Sequence, residues 1–185
     1  MVSGEVIGPG VGWPRGRLVR LRPATLDDDA LLADWARARS EWNDFGLSYR
    51  SVAERLAEGP LLGERGGMLI VERLNDGRPV GDVSWHPVQY GPNAESRAWN
   101  FGIELIPQAR GHGLGTEAQR LLIGWLFATT RVNRIEATTD SANLAEQRAL
   151  EKAGLRREGV LRGAQYRRGE WRDVVLYAVT RADWS

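Results

Sequence analysis

The chain has 185 residues, 42% of them apolar and 26% charged, with a net charge of +1 at neutral pH. That size and balance suit one α/β domain with a real core, and the scattered arginines give no footing for nucleic acid. The absence of cysteine excludes disulfides, a thiol nucleophile and Cys-ligated zinc, and the two distant histidines, His86 and His112, do not suggest a metal site. No apolar run approaches the roughly 18 residues of a membrane span. The first residues lack a basic segment followed by an apolar one, so the expected compartment is the cytoplasm.

Residues 1–15 are rich in Gly and Pro and read as a loose arm or lid, with residues 16–185 as one folded domain. Residues 16–22 (GRLVRLR) alternate and predict a first strand. Thr25 suits a helix N-cap, with Asp27, Asp28 and Asp29 as a solvated first turn favoured by the macrodipole. Leu31, Leu32, Trp35 and Ala38 continue at helical spacing. A short helix is predicted over 52–57, ending near Gly59-Pro60. Strands follow over 68–74, 79–88 and 97–106, the first two joined by the turn Asn75-Asp76-Gly77 and the third closed by Pro107.

A helix over 116–128 places apolar residues at 118, 121, 122, 125 and 126, a single helical stripe. A strand over 134–139 and a helix over 144–153 come next, the helix stopped by Gly154. Two last strands, 155–161 and 171–180, are joined through Arg168-Gly169, and Trp125 and Trp171 read as core. The order β-α-α-β-β-β-α-β-α-β-β implies an α/β fold with a mixed sheet flanked by helices, its parallel crossover lying within 99–139.

The chemistry concentrates in Gln108-Ala109-Arg110-Gly111-His112-Gly113-Leu114-Gly115-Thr116, between a strand and a helix start. Glycines let the backbone approach an anion and aim successive N–H groups at it, and the helix N-terminus adds partial positive charge. Arg110 can add a charge-assisted bond and Thr116 a hydroxyl. This describes a diphosphate cradle. A Walker loop would need a Gly-Lys-Ser/Thr ending, which is missing. A dinucleotide fingerprint would need glycine where Thr116 stands, although Glu136 lies about twenty residues on, so that reading stays open.

Arg110-x-x-Gly113-x-Gly115 resembles the acyl-CoA pyrophosphate signature of the GNAT acetyltransferase superfamily. The stretch GIELIPQARGHGLGTEAQRLLIGWLF, the run NLAEQRALEKAGL and the tail residues Gly169, Trp171, Asp173 and Tyr177 are similar to the RimJ/RimL-type ribosomal-protein N-terminal acetyltransferases. The resemblance covers roughly residues 16–180 and implies the GNAT fold, acetyl-CoA as donor and no metal. It implies that Leu105 and Ile106, just before the loop, meet the pantetheine and orient the acyl carbonyl. The amides of Arg110, Gly111, His112, Gly113, Leu114, Gly115 and Thr116 would then hold the pyrophosphate. Asn143 would touch the pantetheine arm, and a plain N-cap is its competing reading.

A primary ammonium must lose a proton before it attacks a thioester, which costs roughly 4–5 kcal/mol at pH 7. Glu104 is the expected catalytic base, on a central strand where a covered carboxylate needs a partner or a job. An ion pair, or exposure in the cleft, is the competing reading, and His86 is the alternative base. His112 is expected to face solvent. No acid is assigned: relatives place Ser or Tyr on the helix after Asn143, whereas this chain has Glu146, with Ser141 and Tyr166 near only in sequence. Trp35, Trp42, Asn43, Asp44, Phe45 and Tyr49 are the expected surroundings of a small-molecule or peptide amine. The alternatives are a catalytically weak acyl-CoA sensor, use of another donor such as succinyl-CoA, or a nucleotide-dependent oxidoreductase. Oligomeric state is open, a homodimer being one option because relatives commonly pair.

Overall fold

A computed structural model describes residues 12–184; the expected arm over residues 1–11 lies outside the described residues. One twisted sheet runs through the molecule in the order β1-β3-β4-β5-β6-β8-β7, with the two-residue β2 paired to β3. The strands are β1 (Val19–Pro23), β2 (Leu62–Gly63), β3 (Gly66–Arg73), β4 (Pro79–Gln89), β5 (Arg97–Leu105), β6 (Arg134–Asp140), β7 (Arg156–Arg167) and β8 (Glu170–Thr180). The helices are α1 (Asp29–Arg37), α2 (Val52–Ala57), α3 (Leu114–Thr129) and α4 (Leu144–Ala153). The expected order therefore holds, with β2 added. The expected bounds of α2 and α4 match, and β7 runs six residues past the expected Leu161.

Only the β5–β6 pair is parallel, and it is short: Trp99 faces Ile135, Asn100 faces Glu136 and Phe101 faces Ala137. Beyond that point β5 runs on to Leu105 and β6 to Asp140 without pairing to one another, so the sheet opens as a wedge. A parallel pair needs a crossover, and α3 supplies it. This helix is buried over more than the expected stripe: Leu114, Ala118, Leu122, Ile123, Trp125, Leu126, Phe127 and the polar Gln119 are all buried, while Leu121 is half-buried. It lies on the face carrying Trp85, Trp99, Phe101, Ile135 and Tyr177. A smaller cluster on the opposite face, Ala24, Leu32, Val52, Met68 and Ile70, seats α1 and α2, with Trp35 and Tyr49 half-buried against it.

Three expectations are corrected. Trp171 is 69% exposed on β8, where Tyr166 packs on it; of the two expected core tryptophans Trp125 alone is buried. Asp28 and Asp29 are not solvated. Asp28 is buried and bidentate to Arg22 at 2.7 and 2.8 Å, and Arg22 holds its carboxyl below the usual range. Asp29 accepts from the Val52 amide and the Tyr49 hydroxyl, each at 2.7 Å, and so ties α1 to α2. Residues 13–15, expected in the arm, are anchored. Trp13 packs on Trp125, and the Pro14 carbonyl accepts from Leu21 N at 2.8 Å.

A carboxylate ties the start of β1 to α3. Glu117 accepts from the amides of Arg17, Leu18 and Val19 at 3.0, 2.7 and 2.8 Å. These charge-assisted bonds fix a strand that lies at the edge of the sheet. Glu117→Ala leaves three amides without acceptors, and a loss of about 2 kcal/mol is expected in urea unfolding, read as a lower midpoint at unchanged slope.

Candidate functional site

The glycine loop lies at the mouth of the wedge. After β5, Pro107 opens a tight turn, Gly111 and Gly113 take φ of 80° and 78°, and α3 begins at Leu114 with Gly113 as its N-cap. L-residues rarely adopt that region, which is why glycine recurs here. Among the described residues, none of the amides from Gly111 to Thr116 finds a main-chain acceptor; the first engaged is Glu117 N, bound to the Gly113 carbonyl at 3.1 Å. A run of free donors at the N-terminus of a sixteen-residue helix is an anion seat. His112 is exposed, as expected.

The strand before the loop presents its backbone differently from residue to residue. Ile106 N donates to Val80 O at 2.9 Å, and Ile106 O accepts from Ala109 N at 3.0 Å. Its main chain is thus engaged, and only the half-buried side chain remains to meet a ligand. By the alternation of an antiparallel ladder, the main-chain groups of Leu105 point away from β4 and into the wedge. Arg110 folds back there, its Nε donating to Leu105 O at 2.9 Å. On the other wall Asn143 caps α4, with Oδ1 accepting from Glu146 N at 3.2 Å, so its side-chain NH2 points elsewhere.

Beside the loop, a cavity of about 540 Å³ is lined by Gly16, Arg17, Gly113, Thr116, Arg120 and Lys152, with Trp184 at its rim. Arg120 stacks over the Trp184 ring. Sequence reading missed these cations because they come from a segment before β1 and from two separate helices.

Four carboxyl side chains share the sheet face opposite α3: Asp82, Glu104, Glu136 and Asp140, at even positions of β4, β5 and β6. Two are engaged structurally. Glu136 accepts from Arg134, Tyr90 and Asn100. Asp140 pairs with the buried Arg167, which also donates to the carbonyls of Glu41 and Trp42 at 3.0 and 2.8 Å. Arg167 thereby pins the expected acceptor loop to the end of β6. In that loop Phe45 lies under the same guanidinium, and Tyr49 serves Asp29.

Glu104 is half-buried in a small cleft with Trp35, Ala38, Leu105 and Arg110. No ion pair or hydrogen bond engages its carboxylate among the described residues. His86 is exposed four register pairs along β4, and Asn43 and Asp44 are half-buried in the loop. Asp82 stands directly opposite Glu104 and was missed, since one isolated strand aspartate carries no signal until the register is known. Burial first, then the neighbouring Glu104, pushes its carboxyl up to about 7.

Glu146 stands between α3 and α4, where the fully buried Gln119 donates Nε2 to its Oε1 at 2.8 Å. Burial pushes its carboxyl up to about 7, against the lowering effect of that bond. Gln119 Oε1 is buried without a partner, and a protonated Glu146 can return its O–H there. Ser141 is exposed with its amide on Asp173 O, and Tyr166 is exposed on the terminal hairpin.

An open parallel wedge with free amides at the following helix mouth is the architecture of a GNAT-type α/β fold. The sequence pattern described as acetyltransferase (GNAT) domain matches residues 18–156, and the chain belongs to that family. A probable N-acetyltransferase of Bacillus subtilis, YjcK, is 35% identical over 59% of this chain and 59% of its own. The [ribosomal protein uS5]-alanine N-acetyltransferase of Escherichia coli is 33% identical over 46% of this chain and 44% of its own. Less than two thirds of those curated relatives is thus matched. The fold is shared with spermidine N-acetyltransferase from Vibrio cholerae, solved with CoA and spermine, at a TM-score of 0.75 and 18% identity over 90% of this chain and 98% of that one.

The Glu146 carboxyl gives a signed expectation. Its folded pKa lies above the unfolded value, so the folded state holds the extra proton and stability falls as pH rises from the ordinary carboxylate range to about 7. Glu146→Gln removes that dependence. The Tm of the variant minus that of the wild type should grow between pH 5 and pH 8 in differential scanning fluorimetry.

Proposed function

We propose that the protein transfers the acetyl group of acetyl-CoA directly to a primary amine of a small molecule or a protein N-terminus. The observation that carries this reading is the run of free amides from Gly111 to Thr116 at the mouth of the wedge. Two linked phosphates would satisfy those donors, with the helix N-terminus adding its partial charge. Arg17, Arg120 and Lys152 would face the phosphorylated nucleoside end in the adjoining cavity. Leu105 and Asn143, on opposite walls, would take the pantetheine amides and set the thioester carbonyl near the acidic sheet face.

The acceptor enters on that face as an ammonium. A proton passes from its nitrogen to the Glu104 carboxylate, directly or through water. The free amine attacks the thioester carbonyl carbon, the C–S bond breaks, and the amide forms. The second nitrogen proton goes to the leaving thiolate, giving CoA thiol. Glu104 then returns its proton to solvent.

Relatives differ in acceptor: by their names, one acts on a ribosomal-protein alanine and another on spermidine. Thiol release from acetyl-CoA across a panel of peptide and small-molecule amines tests the reading, and binding of CoA without turnover for any of them would favour a sensor. Gly113→Asp puts a carboxylate at the anion seat and should weaken CoA binding by roughly a hundredfold, about 2.8 kcal/mol, in calorimetry. Unchanged affinity would remove the loop as the phosphate site. Glu104→Gln should lower kcat more at pH 6.5 than at pH 9, where free amine is less scarce; a uniform effect would deny Glu104 the role of base.

A further inference from the structure

We propose that the proton acceptor is not Glu104 alone but a two-carboxyl unit, Asp82 with Glu104, that binds the acceptor as an ammonium and shares the proton taken from it. This rests on the transferase reading and adds Asp82 to it.

The geometry comes from the ladder. Asp82 on β4 is paired in register with Glu104 on β5, so the two side chains leave the sheet on the same face from directly opposite positions. Like charges so placed are destabilising unless a cation or a proton lies between them. Neither carboxyl has an ion pair or hydrogen bond among the described residues, in contrast to Glu136 and Asp140 on the same face. Both are half-buried, and Glu104 lines the small cleft with Trp35 and Arg110.

The charged groups around the pair are otherwise occupied. On β3, Glu72 is tied to Arg20 and Arg22. From the helical layer, Arg39 donates to Leu47 O, and Arg55 to Arg50 O and Met68 Sδ; Asp29 serves Tyr49 and Val52. Across the cleft, Arg110 donates to Leu105 O. Along β4, His86 is exposed four register pairs away. Arg39 and Arg55 pull the Asp82 carboxyl down, yet burial and Glu104 outweigh them. Near neutrality Asp82 therefore holds a proton or exchanges it for a cation, and the negative charge of Glu104 opposite favours either outcome. When an ammonium binds, that proton leaves to solvent. The N–H proton lost next passes to Glu104 and is shared with Asp82, no other group changing charge.

The test uses full-length protein carrying 13C at Asp Cγ and Glu Cδ, titrated from pH 4 to 9 by NMR, together with kcat/KM against pH for a panel of amines. One Asp carbon should titrate near neutral pH, vanish in Asp82→Asn, and move down by about one pH unit or more in Glu104→Gln. The acid limb of kcat/KM should shift to lower pH in Asp82→Asn, with the KM for acetyl-CoA unchanged. The proposal is overturned if no Asp carbon titrates above pH 6, if that carbon ignores Glu104→Gln, or if the two pH–rate profiles superimpose. If the carbon behaves as expected while no amine is acetylated, the coupled pair stands and the transferase reading falls.

Discussion

Everything at the candidate site depends on where a parallel strand pair stops. β5 and β6 share three residue pairs and then part, so β5 beyond Phe101 has main-chain groups aimed at no strand. Polar backbone left in that state inside a fold calls for a partner, and a ligand bearing amides can take the place of the missing strand. The same parting puts the start of α3 at the rim of the gap. One event in the sheet thus creates both the slot and the anion seat at its end.

The two faces of the sheet then divide the work. The face under α3 and α4 is apolar, closed and responsible for holding the wedge open at a fixed angle. The opposite face is only partly covered by α1 and α2 and carries acids in a row. Arg167 joins the layers: a buried cation from the last hairpin reaches Asp140 beside the wedge and two carbonyls of the loop above it. Variation of that loop can therefore alter the acceptor side while the cofactor side keeps its frame.

Much of this was legible in the chain. Gly154 and the cap at Asn143 bounded α4, Gly59-Pro60 marked the end of α2, and the spacing Arg110-x-x-Gly113-x-Gly115 located the loop, because each signal is local. The family expectation held for the same reason. What sequence concealed was long-range. Asp28 and Asp29 looked like solvated helix-start residues until Arg22 and Val52 arrived from other elements. Trp171 looked like core because strands favour aromatic residues, but on the β7–β8 hairpin it packs on the likewise exposed Tyr166. Asp82 gained meaning only from its register with Glu104, and Gln119 only from the approach of α4.

Glu117 has one more effect. An acid in the first turn of α3 would ordinarily repel a second anion arriving at that end. Here its oxygens accept from three amides of the segment entering β1, whose dipoles offset its charge even though the side chain also lines the cavity beside the loop. The residue that moors the first strand is thus also an insulator, and the helix keeps its attraction for phosphate despite carrying a negative side chain at its mouth.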